Sequence, residues 1–316
     1  MRLVISLLAE RRGRASRSLA EPMPLRVSSV NKLSEWNGNL PEGCPSEEEK
    51  EMRRRPAVAG MFYESSVEAL RRQLEECFAG VPREEIEMKG AVVPHAGYIY
   101  SGRVAAAVYA RMPPAETFVI LGPNHYLAGS AVATSAAKWL TPLGEVPVDE
   151  DFVEALRGSI IDTDETAHRQ EHSIEVQLPF LQFTFRNFKF VPICMSLHDE
   201  DTAKEVGESI AEAVLKVKKR VIVIASSDFT HYEPDSIARE KDKRVIDAIC
   251  ELDVAKFYRA VREVNSTACG VGPVGAMLVA AKMLGATKGL LLKYATSGDI
   301  TGDRSSVVGY GGIAII

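Results

Sequence analysis

The chain has 316 residues, of which 46% are hydrophobic, so it holds enough apolar material for one large folded domain. Its formal net charge is −5, and no basic stripe is interleaved with aromatic residues, which argues against nucleic acid as a partner. No apolar run reaches the roughly 18 residues of a membrane span, and five widely spaced cysteines are typical of a reducing cytoplasm, where we expect the protein.

The first 52 residues differ in composition from the rest of the chain, because they are rich in Arg, Ser, Pro and Glu. Their opening apolar run is short, and its charges lie mostly on the wrong side for a secretion signal. We therefore predict that residues 1–52 form a poorly ordered N-terminal extension and that residues 53–316 form one folded domain.

From residue 65 onward, segments with helical periodicity alternate with short apolar runs that are typical of buried strands. Ser65 and Glu68 have the spacing of a capping box, and Ser101 is the predicted cap of the second helix. The predicted helices span residues 65–78, 101–112, 149–158, 172–182, 199–217, 235–252, 253–264 and 273–285. The predicted strands span residues 89–94, 117–122, 188–195, 220–226, 288–299 and 305–316.

This order of elements predicts an α/β fold: a single domain with a largely parallel central sheet flanked by helices. The last two strands are joined by a Gly- and Asp-rich loop, which is typical of a long hairpin, so we expect some antiparallel pairing at the sheet edge. No internal repeat at a fixed period divides the chain.

Three histidines, His95, His125 and His231, each follow the carboxyl end of a predicted strand. In open α/β sheets, ligands bind beyond these strand ends. Each histidine alone is as easily explained as a turn or core residue, but three of the chain's six at one sheet edge favour a site. Because neutral imidazole is the commonest protein ligand for metals, we predict a metal site there.

Two further residues are candidates with open alternatives. Cys269 precedes an apolar helix, whose N-terminal field favours the ligating thiolate, but a small buried hydrophobic residue explains it slightly better from the sequence alone. Asp228, in the stretch SSDFTH, orients a histidine, acts as a base, completes a 2-His-1-carboxylate iron site, or simply ends the strand in an Asx turn.

The polar residues around these candidates have less specific signals. Tyr100 either donates a hydrogen bond into the site or packs beside the glycine turn. Glu171 and Glu175 have the spacing of one helical face with His172 near the helix start, and we predict that this segment pairs with a ligand or holds two loops together. The remaining histidines, His168 and His198, lie in polar, acidic loops and are predicted to be exposed. Sequence motifs for a metalloprotease (H-E-x-x-H), a P-loop and a nucleophile elbow are absent.

Six motifs occur in a fixed order: PAVAGMFY, PHAGYIYSG, ILGPNHY, EHSIEVQLPFLQ, SSDFTHY and TACG. This order resembles the Memo family, also called system protein B of the AmmeMemoRadiSam group, over residues 54 to 316. The family is similar in fold to the LigB-like class III extradiol dioxygenases, which use non-haem Fe(II). The resemblance therefore implies a LigB-like version of the α/β fold.

The resemblance also implies roles for individual residues. The metal ligands would be His95, His125 and Cys269, holding one Fe(II) or copper ion per chain, with zinc as a further option. His231 would be the catalytic acid/base and Asp228 would orient it. Cys269 stands where dioxygenases use a glutamate, and its soft thiolate favours Cu(I) or zinc over Fe(II). The residues expected to bind substrate or to support the ligands are Phe62, Tyr100, His172 and Glu175.

Three functions are compatible with these observations. The first is a metal-dependent redox enzyme related to non-haem iron dioxygenases. The second is a non-catalytic module that binds a peptide or protein in the old active-site cleft, and the third is a zinc-dependent hydrolase. The expected ligand is a small molecule or peptide in the cleft, and the group name implies radical-SAM and other AmmeMemoRadiSam group proteins as partners.

Overall fold

The computed structural model of the protein describes residues 52–316, which form one α/β domain. The predicted extension over residues 1–52 therefore lies outside the described residues, apart from Met52. The strands are β1 (Arg53–Arg54), β2 (Gly90–Val93), β3 (Thr117–Pro123), β4 (Val132–Thr134), β5 (Lys138–Thr141), β6 (Gly144–Val146), β7 (Asp162–Thr163), β8 (Lys189–Met195), β9 (Val221–Ser226), β10 (His231–Glu233), β11 (Gly289–Thr296) and β12 (Val307–Ile315). The helices are α1 (Val67–Phe78), α2 (Tyr98–Tyr109), α3 (Glu150–Ala155), α4 (Glu165–His168), α5 (Leu178–Thr184), α6 (Glu200–Val217), α7 (Asp235–Cys250), α8 (Val254–Glu263), α9 (Val271–Met283) and α10 (Gly298–Thr301).

Nine of these strands form one mixed sheet, in the order β10-β12-β2-β9-β3-β8-β4-β7, with β11 paired to β12. The four central strands β2, β9, β3 and β8 are parallel, whereas β12 and β4 join them antiparallel on either side. The prediction of a largely parallel centre with antiparallel edges is confirmed, and so is the predicted pairing of the last two strands.

Strands β2, β3 and β9 are buried along their whole length, and β8 is buried except at Lys189, because helices cover both faces of the sheet. Along β3, Val119 and Leu121 pack into one hydrophobic cluster and Phe118 and Ile120 into the other, since successive side chains point to opposite faces. Helices α6, α7, α8 and α9 contribute to the first cluster, and α1, α2 and α5 contribute to the second. The domain is thus a three-layer α/β/α arrangement.

A small second sheet, in the order β1-β5-β6, was not predicted. Its strands have two to four residues, too few for an alternating pattern to stand out. Trp139 in β5 is fully buried, so this sheet has a packed side of its own. It ties the start of the described chain to residues 138–146.

Several predicted helix starts were wrong by a few residues. Helix α1 is capped by Ser66, whose side chain accepts a hydrogen bond from the Ala69 N–H, rather than by Ser65. Helix α2 begins at Tyr98 after Gly97, and Ser101 lies inside it, where its hydroxyl donates to the Ala96 carbonyl. The start of α1 is set by a local cap one residue later than predicted, whereas the start of α2 is fixed by a tertiary contact, because the Tyr98 N–H donates to the Phe62 carbonyl.

The helix predicted over residues 172–182 is shorter than expected. A 3-10 turn at Glu175–Gln177 leads into α5, and Glu171 precedes both. Glu171 and Glu175 therefore do not share a helical face, and each carboxylate has its own hydrogen-bond partners.

No helix in residues 52–316 has both the length and the apolar character needed to cross a membrane.

Candidate metal centre

The carboxyl ends of the four parallel strands converge on one edge of the sheet, and a polar side chain lies two or three residues beyond each end. His95 follows β2, His125 follows β3, His198 follows β8 and Asp228 follows β9. This is the edge at which open α/β sheets bind ligands. The parallel core therefore brings together residues that are far apart in the sequence.

His95 is 2% exposed, and its neighbours fix its tautomer. The Ser226 hydroxyl donates its single proton to the Ser173 carbonyl at 2.6 Å, so it can only accept from the ring nitrogen Nδ1 of His95, which lies 3.0 Å away. The Nε2 lone pair of His95 consequently faces Cys269, whose Sγ is 3.2 Å away. Burial and the neighbouring histidines lower the pKa of His95 well below its ordinary value, which keeps the ring neutral.

His125 is oriented in the same way by a carboxylate. Its Nδ1 lies 3.0 Å from Oε1 of Glu171, which can only accept, so Nδ1 carries the proton and Nε2 is left with its lone pair. The backbone N–H of His125 also donates to Glu171. Burial alone would raise the pKa of Glu171, but the hydrogen bond and charge interactions with His125 and His172 outweigh it and lower the pKa to about 2.

His172 completes a cluster of three imidazoles. One ring nitrogen from each of His95, His125 and His172 lies within 4.8 Å of the other two, close enough for one metal ion. The ring of His172 stacks on His125 with centroids 4.6 Å apart, and Phe62 packs against His172 in a T-shaped arrangement with centroids 4.7 Å apart. Burial lowers the pKa of His172 to about 4, so this ring is also neutral near pH 7.

Cys269 and Asp228 hold each other through the backbone. The Asp228 N–H donates to Sγ of Cys269 at 3.3 Å, and the Cys269 N–H donates to the Asp228 carbonyl at 3.3 Å. The Asp228 carboxylate accepts from the His95 N–H at 2.9 Å, so it fixes the loop that carries His95. Burial raises the pKa of both the Cys269 thiol and the Asp228 carboxyl group.

His231 lies at the start of β10, on the same side of the sheet. Its N–H donates to the Thr267 hydroxyl at 2.7 Å, and its Nδ1 lies 3.0 Å from the Thr267 carbonyl, which can only accept. Nε2 of His231 therefore carries the lone pair. His231 is close enough to add to the lowering of the His95 pKa and to offset part of the rise that burial causes in the Asp228 pKa.

Glu175 has a different function from Glu171, because it joins loops. Its carboxylate is fully buried and pairs with Arg54 at 2.5 Å, and it also accepts hydrogen bonds from the Tyr63 hydroxyl and the N–H groups of Ala57 and Val58. Arg54 also donates to the carbonyl groups of His168 and Glu171. The segment that carries Glu171 and His172 is thus fastened to the start of the described chain.

Two expectations about histidines were wrong. His168 is fully buried, donating from Nε2 to the Ala133 carbonyl, and burial lowers its pKa to about 4. His198 is half-buried beside α9, where its Nδ1 accepts from the Gly272 N–H, and burial followed by His125 lowers its pKa. Acidic neighbours in the sequence gave a false signal of exposure in both cases.

Tyr100 is half-buried in the first turn of α2, and none of the hydrogen bonds within residues 52–316 joins its side chain to the cluster.

The donors present suit a transition metal. Three imidazoles and one sulfur atom select zinc, copper or iron over magnesium or calcium, which prefer oxygen ligands. Within residues 52–316, Nε2 of His125 makes no hydrogen bond, while its Nδ1 is held by a carboxylate, as is common for metal ligands. His172 was predicted only as a supporting residue, and it is a third possible ligand alongside Cys269.

Comparisons with known proteins identify the family of this chain. The family model described as Memo-like protein matches residues 54–314. A MEMO1 family protein of Methanosarcina acetivorans is 54% identical over 263 residues, which cover 83% of this chain and 98% of the relative. A MEMO1 family protein of Methanopyrus kandleri is 50% identical over 278 residues, which cover 83% of this chain and 98% of the relative.

A solved structure shares the fold at low sequence similarity. The uncharacterised protein JW3007 of Escherichia coli K12 superposes with a TM-score of 0.50 and 14% identity, covering 72% of this chain and 100% of that chain. This likeness concerns the fold alone. With the family model and the archaeal relatives both spanning nearly all of the described domain, the chain belongs to the Memo family.

Proposed function

We propose that the protein is a metal-dependent redox enzyme that binds one iron or copper ion through His95, His125 and Cys269. The observation that carries this proposal is the fixed tautomer of two rings. Ser226 and Glu171 hold the Nδ1 protons of His95 and His125, so both Nε2 lone pairs are available to a metal. His172 is the alternative third ligand, because its ring belongs to the same cluster.

A bound iron or copper ion would supply electron transfer, and the surrounding residues would handle protons. His231 donates from Nδ1 to Thr267, so its Nε2 is free to take a proton from a substrate or return one. The Asp228 carboxylate accepts from the backbone N–H of His95 and lies near His231, but the His231 ring is oriented by Thr267, so the expected orientation of that ring by Asp228 is not found. Phe62 shields one face of His172 from water.

The test is to purify the protein without added metals and to measure iron, copper and zinc per chain by elemental mass spectrometry. We expect about one iron or copper ion per chain in the native protein and none in the His95→Ala/His125→Ala double variant. His231→Ala is the matched control, because it removes a nearby histidine outside the ligand set and should keep the metal.

The third ligand is identified by two single variants. Cys269→Ser should lose most of the metal and His172→Ala should keep it, and the reverse result would assign the third position to His172. Unchanged metal content in the His95→Ala/His125→Ala double variant would contradict the proposal. The expected oxygen-dependent turnover is then sought only with the loaded protein.

Zinc-dependent hydrolysis is a second candidate, because a set of two histidines and a cysteine with an open position also suits zinc. Stoichiometric zinc in the purified protein, together with hydrolysis of esters or amides that stops on chelation, would favour this candidate over the redox enzyme.

A further inference from the structure

A groove of about 630 Å³ lies beside the histidine cluster, between the start of the described chain and the segment around α4. Its lining consists of residues 52–58 together with Met61, Tyr126, Ala137, Glu165, Arg169 and Gln170. Tyr126 directly follows His125, and Gln170 directly precedes Glu171, so the groove adjoins the candidate metal centre.

Four arginines line this groove: Arg53, Arg54, Arg55 and Arg169. The charge of Arg54 is balanced by the buried Glu175, and Arg53 lies 3.5 Å from Glu145. By contrast, within residues 52–316 the side chains of Arg55 and Arg169 form no hydrogen bond or ion pair, and both are exposed.

The only acidic residue that lines the groove within residues 52–316 is Glu165. Its carboxylate is already occupied, because it accepts hydrogen bonds from the Ser135 hydroxyl and from the N–H groups of Ala136 and Ala137. It is therefore a poor partner for the arginines. Among the described residues, the guanidinium groups of Arg55 and Arg169 therefore have no carboxylate partner, which suits them to bind an oxyanion.

The rest of the groove wall is largely apolar. Met61 is 68% exposed and Tyr126 is 39% exposed, and Pro56 and Val58 line the groove with them. Large exposed apolar side chains next to Arg55 and Arg169 favour a ligand that is both anionic and apolar.

From these observations we propose that the groove binds an organic carboxylate with an apolar body, whose carboxylate is held by Arg55 and Arg169. Binding of the anion is independent of any metal. The further step, that such a carboxylate is the substrate of the neighbouring centre, rests on the proposed redox function.

The experiment is isothermal titration calorimetry of the full-length protein at low salt with three probes. These are 4-phenylbutyrate, its neutral amide 4-phenylbutyramide, and inorganic phosphate. We expect the carboxylate to bind about tenfold or more tightly than the amide, because charge-assisted hydrogen bonds to guanidinium are lost in the amide. Phosphate should bind more weakly than phenylbutyrate, because it has no apolar part.

The variant Arg55→Met/Arg169→Met should weaken phenylbutyrate binding about tenfold or more. Its fold is not at risk, because both side chains are exposed and have no partner within residues 52–316. The matched control is Arg259→Met, an exposed arginine on α8 outside the groove, which should bind phenylbutyrate like the native protein.

The His95→Ala/His125→Ala variant separates the two proposals. It should bind phenylbutyrate normally even though it carries no metal, so a failure of the redox proposal leaves this one intact. Three results would overturn the groove proposal: no binding of phenylbutyrate, equal binding of the amide or of phosphate, or unchanged binding in Arg55→Met/Arg169→Met.

Discussion

The two sides of the candidate metal centre are held in place by different kinds of interaction. On one side, His95 and Asp228 follow strand ends and Cys269 precedes α9, and all three are fixed by hydrogen bonds of the backbone and of Ser226. On the other side, His125 and His172 depend on the Glu171 carboxylate, and the segment that carries it is fastened by Arg54. We call these the strand side and the loop side.

The comparison shows that the possible metal ligands on the two sides are held by interactions whose loss should cost different amounts of folding free energy. The residues of the strand side are held in position by β2 and β9, which are buried and paired along their length. The loop side contains a buried ion pair, and losing one partner of such a pair leaves an uncompensated charge away from water. Changes on the loop side should therefore cost the most.

The largest effect is expected for Arg54→Met, which leaves Glu175 buried without its cation. We expect a loss of about 3–5 kcal/mol in the free energy of unfolding, measured by urea denaturation. The neighbouring Arg53 pairs with Glu145 at the surface, so Arg53→Met should cost less than about 1 kcal/mol.

A double variant tests whether the buried charge is the cause. Arg54→Met/Glu175→Gln should be more stable than Arg54→Met, because no unpaired charge remains. Equal stability of the two variants would show that the other lost contacts of Arg54, its packing 4.1 Å from the Trp139 ring centroid and its hydrogen bonds to the His168 and Glu171 carbonyls, explain the effect without the buried charge.

The next effect concerns the pH dependence of stability on the loop side. Burial, followed by the nearby Arg54 charge, lowers the pKa of His168 from its ordinary 6.5 to about 4. The unfolded chain therefore binds a proton that the folded protein does not, at every pH between these values. The neutral form of His168 therefore contributes about 3 kcal/mol to the free energy of unfolding. This contribution is fully present above pH 6.5 and is lost as the pH falls to about 4.

The measurement is a series of urea denaturation curves between pH 7.5 and pH 4 for the native protein and for His168→Gln. Glutamine cannot take up the proton, so the loss of stability on acidification should be about 3 kcal/mol smaller in His168→Gln than in the native protein. Parallel curves for the two proteins would contradict the assignment to His168.

The smallest of these effects is expected on the strand side, for Ser226→Ala. Without the hydroxyl, Nδ1 of His95 loses its acceptor, so the ring should populate both tautomers in NMR spectra of ¹⁵N-labelled histidine. Metal affinity should fall about 10- to 100-fold, and the free energy of unfolding by about 1–3 kcal/mol.

Ser209→Ala is the control for this change, because the Ser209 hydroxyl donates only within its own helix, to the Glu205 carbonyl. It should alter neither the tautomer of His95 nor metal affinity. A single unchanged tautomer in Ser226→Ala would show that Cys269 or the backbone, rather than Ser226, orients the ring.

Sequence patterns predicted the strand side better than the loop side. His95 and Asp228 follow apolar strands whose periodicity is strong, so their approach to each other follows from the parallel sheet. Arg54 lies in a run of three arginines that has the appearance of an exposed, charged segment. Its burial depends on Glu175 and Trp139, which are far away in the sequence and share no local pattern with it.

The sequence by itself determined the α/β class, the central strands and the family, because hydrophobic periodicity and ordered motifs are local properties that can be read from short segments. Only the tertiary structure decided that His172 joins the cluster, that His168 is buried, and that Arg55 and Arg169 line a groove beside the site. These outcomes depend on which distant segments pack together and on how buried charges find partners.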